Sequence, residues 1–166
     1  TLTITASTGD FGADYTGRPY QDYRTKAENL VIDGNENTVI GAYAFNGFSS
    51  VKTITIKTCG NIKSYAFKGC TQTTALSIEK SGEIGDHAFN GLFNLKTVTI
   101  GNCGDIKDRA FGGCSSLQSI AINACGNFDE YVFQNCSKLT EATIGTCGDF
   151  VQNVFAGCSG LQSIRV

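Results

Sequence analysis

Hydrophobic residues recur along this chain in two patterns, and both repeat every 22 residues. The first pattern is a small apolar residue followed by phenylalanine. The phenylalanines of these pairs are Phe45, Phe67, Phe89, Phe111, Phe133 and Phe155. The second pattern is a short segment in which apolar and polar residues alternate, as in VKTITI, LKTVTI and LQSIAI. Alternation with a period of two is typical of a half-buried β-strand, so each unit is predicted to contribute one strand.

Glycine interrupts each unit twice. One glycine follows the strand, as at Gly60 and Gly82, and another follows the phenylalanine, as at Gly47 and Gly69. Both positions are expected to be corners of the chain. A unit of one strand and two corners cannot bury its apolar residues alone, whereas stacked units can. The pattern therefore predicts a repeat solenoid, with a parallel β-sheet on one side and short helical or turn segments on the other.

The repeated phrases resemble a known family. LQSIAINAC fits the leucine-rich repeat, and IGAYAFNGFSSV and IKDRAFGGCSSL resemble the BspA-like branch of that superfamily. The resemblance covers residues 40–166, which would hold six repeats, the last one incomplete. It implies a right-handed leucine-rich-repeat-like coil. It also implies a secreted or cell-surface protein that acts in adhesion or ligand binding and is not an enzyme, with other proteins or host and extracellular-matrix surfaces as partners.

The head of the chain resembles the segment that precedes such repeats in bacterial members. The matching phrases are TLTI, the pairs Asp14-Tyr15 and Pro19-Tyr20, and the strand-like Leu30-Val31-Ile32. Residues 1–39 are therefore expected to form an N-terminal cap and a first strand.

Charge and hydropathy exclude two classes of partner. The 166 residues contain 13 basic and 15 acidic side chains, with a net charge of −2. This balance provides no basic surface for nucleic acid or for anionic lipid. No apolar run approaches the roughly 20 residues that span a bilayer, so membrane insertion is not expected.

The eight cysteines occupy two positions of the repeat. We call the residues at one position of successive repeats a column. One column holds Cys59, Cys103, Cys125 and Cys147, and the other holds Cys70, Cys114, Cys136 and Cys158. The second column also contains large apolar residues and is predicted to lie inside, while thiols of the first are expected to donate weakly to neighbouring carbonyls. Disulfides between the columns, 11 residues apart, remain an alternative to reduced thiols. The cysteines are too dispersed for a zinc site, so no metal is expected.

Candidate catalytic chemistry is sparse. The single histidine, His87, is expected to be exposed and solvated rather than a catalytic base. The acidic or amide residue after each corner glycine, as at Asn61 and Asp105, is a water-facing turn or, alternatively, a cation ladder. No nucleophile elbow or phosphate loop occurs. The sequence thus predicts neither catalytic residues nor a cofactor.

The remaining surface offers few anchors for a partner. The outward strand positions carry small polar residues, and an ice- or mineral-binding role for them is a minor alternative. Protein interfaces favour aromatic side chains, and such residues lie on the other side of the repeat. The candidate binding residues are Tyr43, Tyr65, Tyr131 and Phe93. The alternative for the tyrosines is packing under adjacent coils.

A second functional hypothesis concerns the ends. The given chain finishes on a strand, at LQSIRV, and opens with the strand-like TLTIT. A structural subunit could therefore assemble head to tail into filaments. The candidate assembly residues are Leu2, Ile4, Ile164 and Val166. The alternative is that further repeats follow.

Overall fold

The computed structural model describes residues 1–5 and 20–166; the predicted cap residues Asp14, Tyr15 and Pro19 lie outside that part of the chain. Its sheet has eight parallel strands in chain order. They are β1 (Leu2–Thr5), β2 (Asn29–Asp33), β3 (Thr53–Thr58), β4 (Ala75–Lys80), β5 (Thr97–Asn102), β6 (Ser119–Ala124), β7 (Glu141–Thr146) and β8 (Ser163–Arg165). The predicted repeat solenoid is confirmed.

Pairing between strands follows the repeat residue for residue. Ile54 of β3 is opposite Leu76 of β4, which is opposite Val98 of β5. These residues are buried, and their neighbours such as Thr55 and Thr99 point outward. We call the outward side chains of β2–β8 the strand face. A slip of one residue would expose the buried set, so the alternating pattern fixes the register.

The side of each coil opposite the sheet, here called the turn side, consists of turns. The only helix in the described residues is a 3-10 helix at Gln21–Tyr23, before the repeats. Isolated parallel bridges connect Ile40 to Ile62 and Ile62 to Ile84, and so on to the last coil. Backbone N–H groups also donate to the next coil, as from Phe45 to the Ala66 carbonyl at 2.8 Å. Successive coils are thus hydrogen-bonded on both sides.

The phenylalanine column forms the centre of the core. The rings of Phe45, Phe67, Phe89, Phe111, Phe133 and Phe155 stack on one another with centroid distances of 4.8 to 5.3 Å. Tyr20 stacks on the first of them, Phe45, at 5.3 Å. The core is therefore one continuous stack rather than a set of separate clusters.

The two glycine columns serve different purposes. Gly69, after the phenylalanine, has a φ of 79°, in the left-handed region that glycine tolerates best. Asn135 takes the same conformation in its coil, with a φ of 59°. Gly126, after the strand, is instead required by close approach, because a Cβ there would lie 2.2 Å from Asp105 Oδ1. Only the first column therefore has a backbone angle that favours glycine.

Candidate binding surface

Side chains on the turn side are carried by an unusual backbone conformation. In each repeat, one residue comes directly before the small apolar residue that precedes the core phenylalanine. We call these residues the tyrosine column: Tyr43, Tyr65, His87, Arg109, Tyr131 and Asn153. All six are in the left-handed region, with φ between 48° and 64°. Side chains other than glycine rarely adopt it, and each such residue costs on the order of 1 kcal/mol. Backbone hydrogen bonds between coils, such as His87 N to Asp108 O at 3.0 Å, hold the conformation.

Three of these side chains form one stack. The Tyr43 and Tyr65 rings lie 5.1 Å apart and within 8° of parallel, and the His87 ring follows at 4.8 Å from Tyr65. The Lys68 ammonium lies 5.9 Å and 5.4 Å from the Tyr43 and Tyr65 centroids. His87 is half-buried, and its Nδ1 is buried without a hydrogen-bond partner in the described residues. The prediction of a solvated His87 is therefore wrong, because stacking covers its ring.

Tyr131 belongs to a separate group. The Arg109 guanidinium lies 4.5 Å from its ring centroid, and Arg109 also pairs with Asp108 at 2.6 Å. A groove of about 340 Å³ lies here, and three of its lining residues are acidic: Asp108, Asp129 and Glu130. The structure thus divides the predicted tyrosines into two sites of different charge.

Phe93 lies beside the first stack. Phe93 is 58% exposed, the largest exposed fraction among the large hydrophobic residues between β2 and β7 in the described chain. A groove of about 440 Å³ separates it from Tyr65, His87 and Lys68. We call this space the Phe93 groove; its other side chains are Thr71 and Asn90. Two predicted residues, Tyr65 and Phe93, therefore share one site, and Tyr43 supports it by stacking on Tyr65.

Sequence reasoning missed Lys68, His87 and Asn90 as parts of this site. For Lys68, a comparison of the same position in successive repeats could have indicated the site. Lys68 occupies a position that elsewhere holds Asn46, Asn90, Gly112, Gln134 and Ala156. It is the only charged residue in that column, and it follows Tyr65 by three residues.

The predicted assembly residues lie at the two edges of the sheet. Ile164 and Val166 are 47% and 76% exposed in the last coil. Leu2, in the edge strand β1, is half-buried against the core and is opposite Leu30 of β2. The backbone of Ile4 pairs with Ile32, while its side chain lies outside the described part. Assembly through these residues stays a prediction.

All eight cysteines are free thiols in the structure. The thiols of Cys70, Cys114, Cys136 and Cys158 donate to carbonyls of the neighbouring coil, for example from Cys70 to Phe45 O at 3.3 Å. The predicted thiol–carbonyl ladder was thus assigned to the wrong column. Burial raises the pKa of Cys59 and of Cys70 to about 12. Such thiols are poor nucleophiles and poor metal ligands, because the thiolate is the reactive form.

The amide and acidic column after the corner glycine is a structural ladder. Asn61 Oδ1 accepts a hydrogen bond from Glu83 N at 2.9 Å, and Asp105 Oδ1 accepts one from Asn127 N at 2.8 Å. These side-chain oxygens thus link successive coils. In the described residues, no group of three His, Cys, Asp or Glu side chains is arranged to hold a metal ion.

Comparison with known families agrees with this architecture. The family model described as "BspA type Leucine rich repeat region" matches residues 20–140 and 60–166, with six copies. The chain belongs to this family. Proteins with this repeat and fold are typically non-enzymatic. No helix among the described residues of this BspA-type repeat chain has the length and hydrophobicity to cross a membrane.

Two solved structures of bacterial leucine-rich repeat proteins are similar to this BspA-type chain. One is a leucine-rich repeat protein of T. pallidum, with 16% identity, a TM-score of 0.43, and coverage of 82% of this chain and 77% of that one. The other is a leucine-rich repeat protein from Eubacterium ventriosum, with 13% identity, a TM-score of 0.29, and coverage of 99% and 80%. No curated protein matches the chain significantly.

Proposed function

We propose that this chain is a non-enzymatic module that binds other proteins outside the cell, as in adhesion to a host or extracellular-matrix surface. The observation that carries the proposal is the exposed Phe93 ring beside a groove that the Tyr65 and His87 rings also line. Aromatic side chains that meet a concave surface are the usual anchors of protein interfaces. Membership of the BspA-type repeat family supports a binding role.

The strand face is a weaker candidate for the same role. Its central column holds Thr55, Ser77, Thr99, Ala121 and Thr143 in β3–β7, which are small and provide no anchor. Arg165 continues the column in β8, where its guanidinium lies 3.8 Å from Glu141. Its charged side chains are partly neutralised within the sheet, as Lys57 pairs with Asp33 at 2.8 Å. We therefore place the binding surface on the turn side.

A selection from a displayed library of random dodecapeptides tests this proposal. Peptides enriched on the wild-type chain are re-measured on a turn-side variant, Tyr65→Ser with Phe93→Ser, and on a strand-face variant, Thr99→Glu. We expect at least about a tenfold loss of affinity on the turn-side variant only, because two anchors are removed. Failure to enrich any peptide, or loss of binding on Thr99→Glu alone, would contradict the proposal.

The extracellular location has its own test. Intact cells that produce the protein are treated with a membrane-impermeant biotin reagent, which reacts with exposed amines such as Lys96 and Lys138. We expect labelling without lysis, or recovery of the protein from the medium. Labelling that requires lysis would place the protein inside the cell.

A further inference from the structure

Phe93 has no structural role that the repeat requires. The other residues of its column are Ser49, Thr71, Ser115, Ser137 and Ser159, all small and polar. The preceding residue, Leu92, is the one that enters the core and is fully buried. The loop is fixed without the Phe93 ring, because Phe93 N donates to Gly91 O and Asn94 Nδ2 donates to Thr71 O, both at 2.9 Å. A large apolar residue has thus replaced serine on a surface that is fixed by other contacts.

The opposite wall of the Phe93 groove is rigid and mainly aromatic. Tyr65 is stacked between Tyr43 and His87, so its ring is held in place from both faces. Gly69 and Gly91, with no side chains, also line the groove. Gly91 has a φ of 72°, in the region that favours glycine, and a Cβ there would lie 3.6 Å from the Phe93 ring, in ordinary van der Waals contact. An apolar side chain in the groove would therefore meet the Phe93 ring and the fixed rings of this wall.

The charge of the groove selects what accompanies that side chain. Lys68 is exposed, lies over the Tyr43 and Tyr65 rings, and has no ion pair with any described residue. None of the residues that line the groove is acidic. The groove beside Tyr131 has the opposite character, since acidic residues line it and its Arg109 is paired with Asp108. The Phe93 groove thus favours an anionic partner.

We propose that the Phe93 groove binds an extended segment of a partner protein, with an aromatic or aliphatic side chain against Phe93 and an adjacent Asp or Glu carboxylate on Lys68. A protein segment is favoured over a sugar, because Tyr43 and His87 stack on the two faces of the Tyr65 ring and leave neither face for a sugar ring. This inference rests on the proposed function and specifies its ligand.

Other coils of the repeat indicate which substitutions in the groove should leave the fold unchanged. Phe93→Ser and Lys68→Asn each introduce the residue that other coils carry in the same column. Both should leave the free energy of unfolding within about 0.5 kcal/mol of the wild type, as is usual at surface positions. Lys96→Asn, which removes a cation from another part of the surface, is the matched control.

The probes are fluorescent synthetic peptides with a central Phe-Glu, Phe-Lys or Ser-Glu pair in a Gly-Ser context, together with the peptides enriched from the library. We expect wild type and Lys96→Asn to bind Phe-Glu about threefold or more tighter than Phe-Lys. Phe93→Ser should weaken Phe-Glu binding about tenfold or more. Lys68→Asn should abolish the preference, and Lys68→Glu should reverse it.

Each contrary result has a distinct meaning. Enriched peptides that bind Phe93→Ser and Lys68→Asn as well as wild type would overturn this inference and leave the proposed function standing. No enriched peptide at all would overturn both. A dimer in analytical ultracentrifugation that Phe93→Ser abolishes would identify a second copy as the occupant. A signal on a glycan array that depends on Phe93, without peptide binding, would identify a sugar.

Discussion

Phe111 makes its ring contacts with the same residue in the coils on either side. It stacks on Phe89 at 5.2 Å and on Phe133 at 5.3 Å, and it is fully buried. A gap at this position cannot close easily, because both neighbours are held by their own backbone hydrogen bonds. Because every coil has phenylalanine at this position, the packing of each ring depends on the rings in the neighbouring coils.

Phe111→Ala should lower the free energy of unfolding by roughly 3 to 5 kcal/mol, through lost burial and the cavity that remains. Thr99→Ala, on the exposed strand face, should change it by less than about 0.5 kcal/mol. Urea unfolding followed by circular dichroism measures both. Equal effects of the two substitutions would refute the assignment of the phenylalanine column to the core.

Buried thiols make the stability depend on alkaline pH. Burial raises the pKa of the Cys59 thiol from its ordinary 9.0 to about 12. The folded chain therefore keeps a proton that the unfolded chain loses. Cys59 contributes its full stabilisation below about pH 9, and this contribution is lost as the pH rises towards 12, by up to about 1.4 kcal/mol per pH unit.

Cys59→Ser introduces the residue that its column already carries at Ser81, and it should flatten this dependence. Urea unfolding at pH 8 and pH 10 in the presence of reductant measures the difference. Lysine and tyrosine titrate in both proteins, so only the change between variant and wild type is informative. Parallel stability curves for the two proteins would contradict the raised pKa.

At the scale of elements, the corners after β4, β6 and β7 are each fixed by a side chain of the preceding coil. Asp105 Oδ1 accepts a hydrogen bond from Asn127 N, and Lys107 Nζ lies 3.2 Å from Asp105 Oδ2. The Asn127 N–H bond, followed by the Lys107 contact, lowers the pKa of Asp105. Its contribution is present above the ordinary pKa of an aspartate and is lost as the pH falls through the lowered value.

Asp105→Asn keeps the acceptor oxygen, as Asn61 and Asn127 do in the same column, and should stay within about 0.5 kcal/mol of wild type at pH 7. Asp105→Ala removes it and should cost about 1 kcal/mol. Urea unfolding at pH 7 and pH 3 measures both, and the Asn variant should lose less stability on acidification. An Asn variant as unstable as the Ala variant would show that the ladder bond is unimportant.

The strands could be predicted from the sequence because alternation alone specifies them. β3 and β5 begin within the predicted segments VKTITI and LKTVTI and continue two residues past their ends at Ile56 and Ile100. The conformation of the turn side could not be predicted from the sequence. Its apolar pairs fit one helical turn as well as a bend, and hydrogen bonds between coils decide the outcome. The left-handed backbone at Tyr43, His87 and Arg109 had no signal either, since no glycine occurs there. Phe93 and Tyr65 were predicted as candidate binding residues, but that they line the same groove depends on how consecutive coils stack.

At the scale of the whole molecule, matched register predicts tolerance to loss of a complete coil. Deletion of residues 106–127 removes one full repeat and joins Asp105 to Phe128, so every column continues. We expect a shorter solenoid that unfolds cooperatively with a smaller urea m-value and retains the Phe93 groove. Deletion of residues 106–116, half a repeat, would put strand residues into turn positions and should abolish cooperative unfolding. Similar behaviour of the two deletions would contradict the solenoid model.

The stacking of coils also fixes a spacing between equivalent side chains that differs from the spacing of side chains in a bound peptide. Equivalent side chains recur at the strand spacing of about 4.8 Å along the solenoid axis, whereas alternate side chains of an extended peptide recur about every 6.6 Å. Because the two spacings differ, side chains of a peptide that lies along the axis stop matching equivalent positions of the coils after one or two coils. A longer array of coils would then not lengthen the Phe93 site.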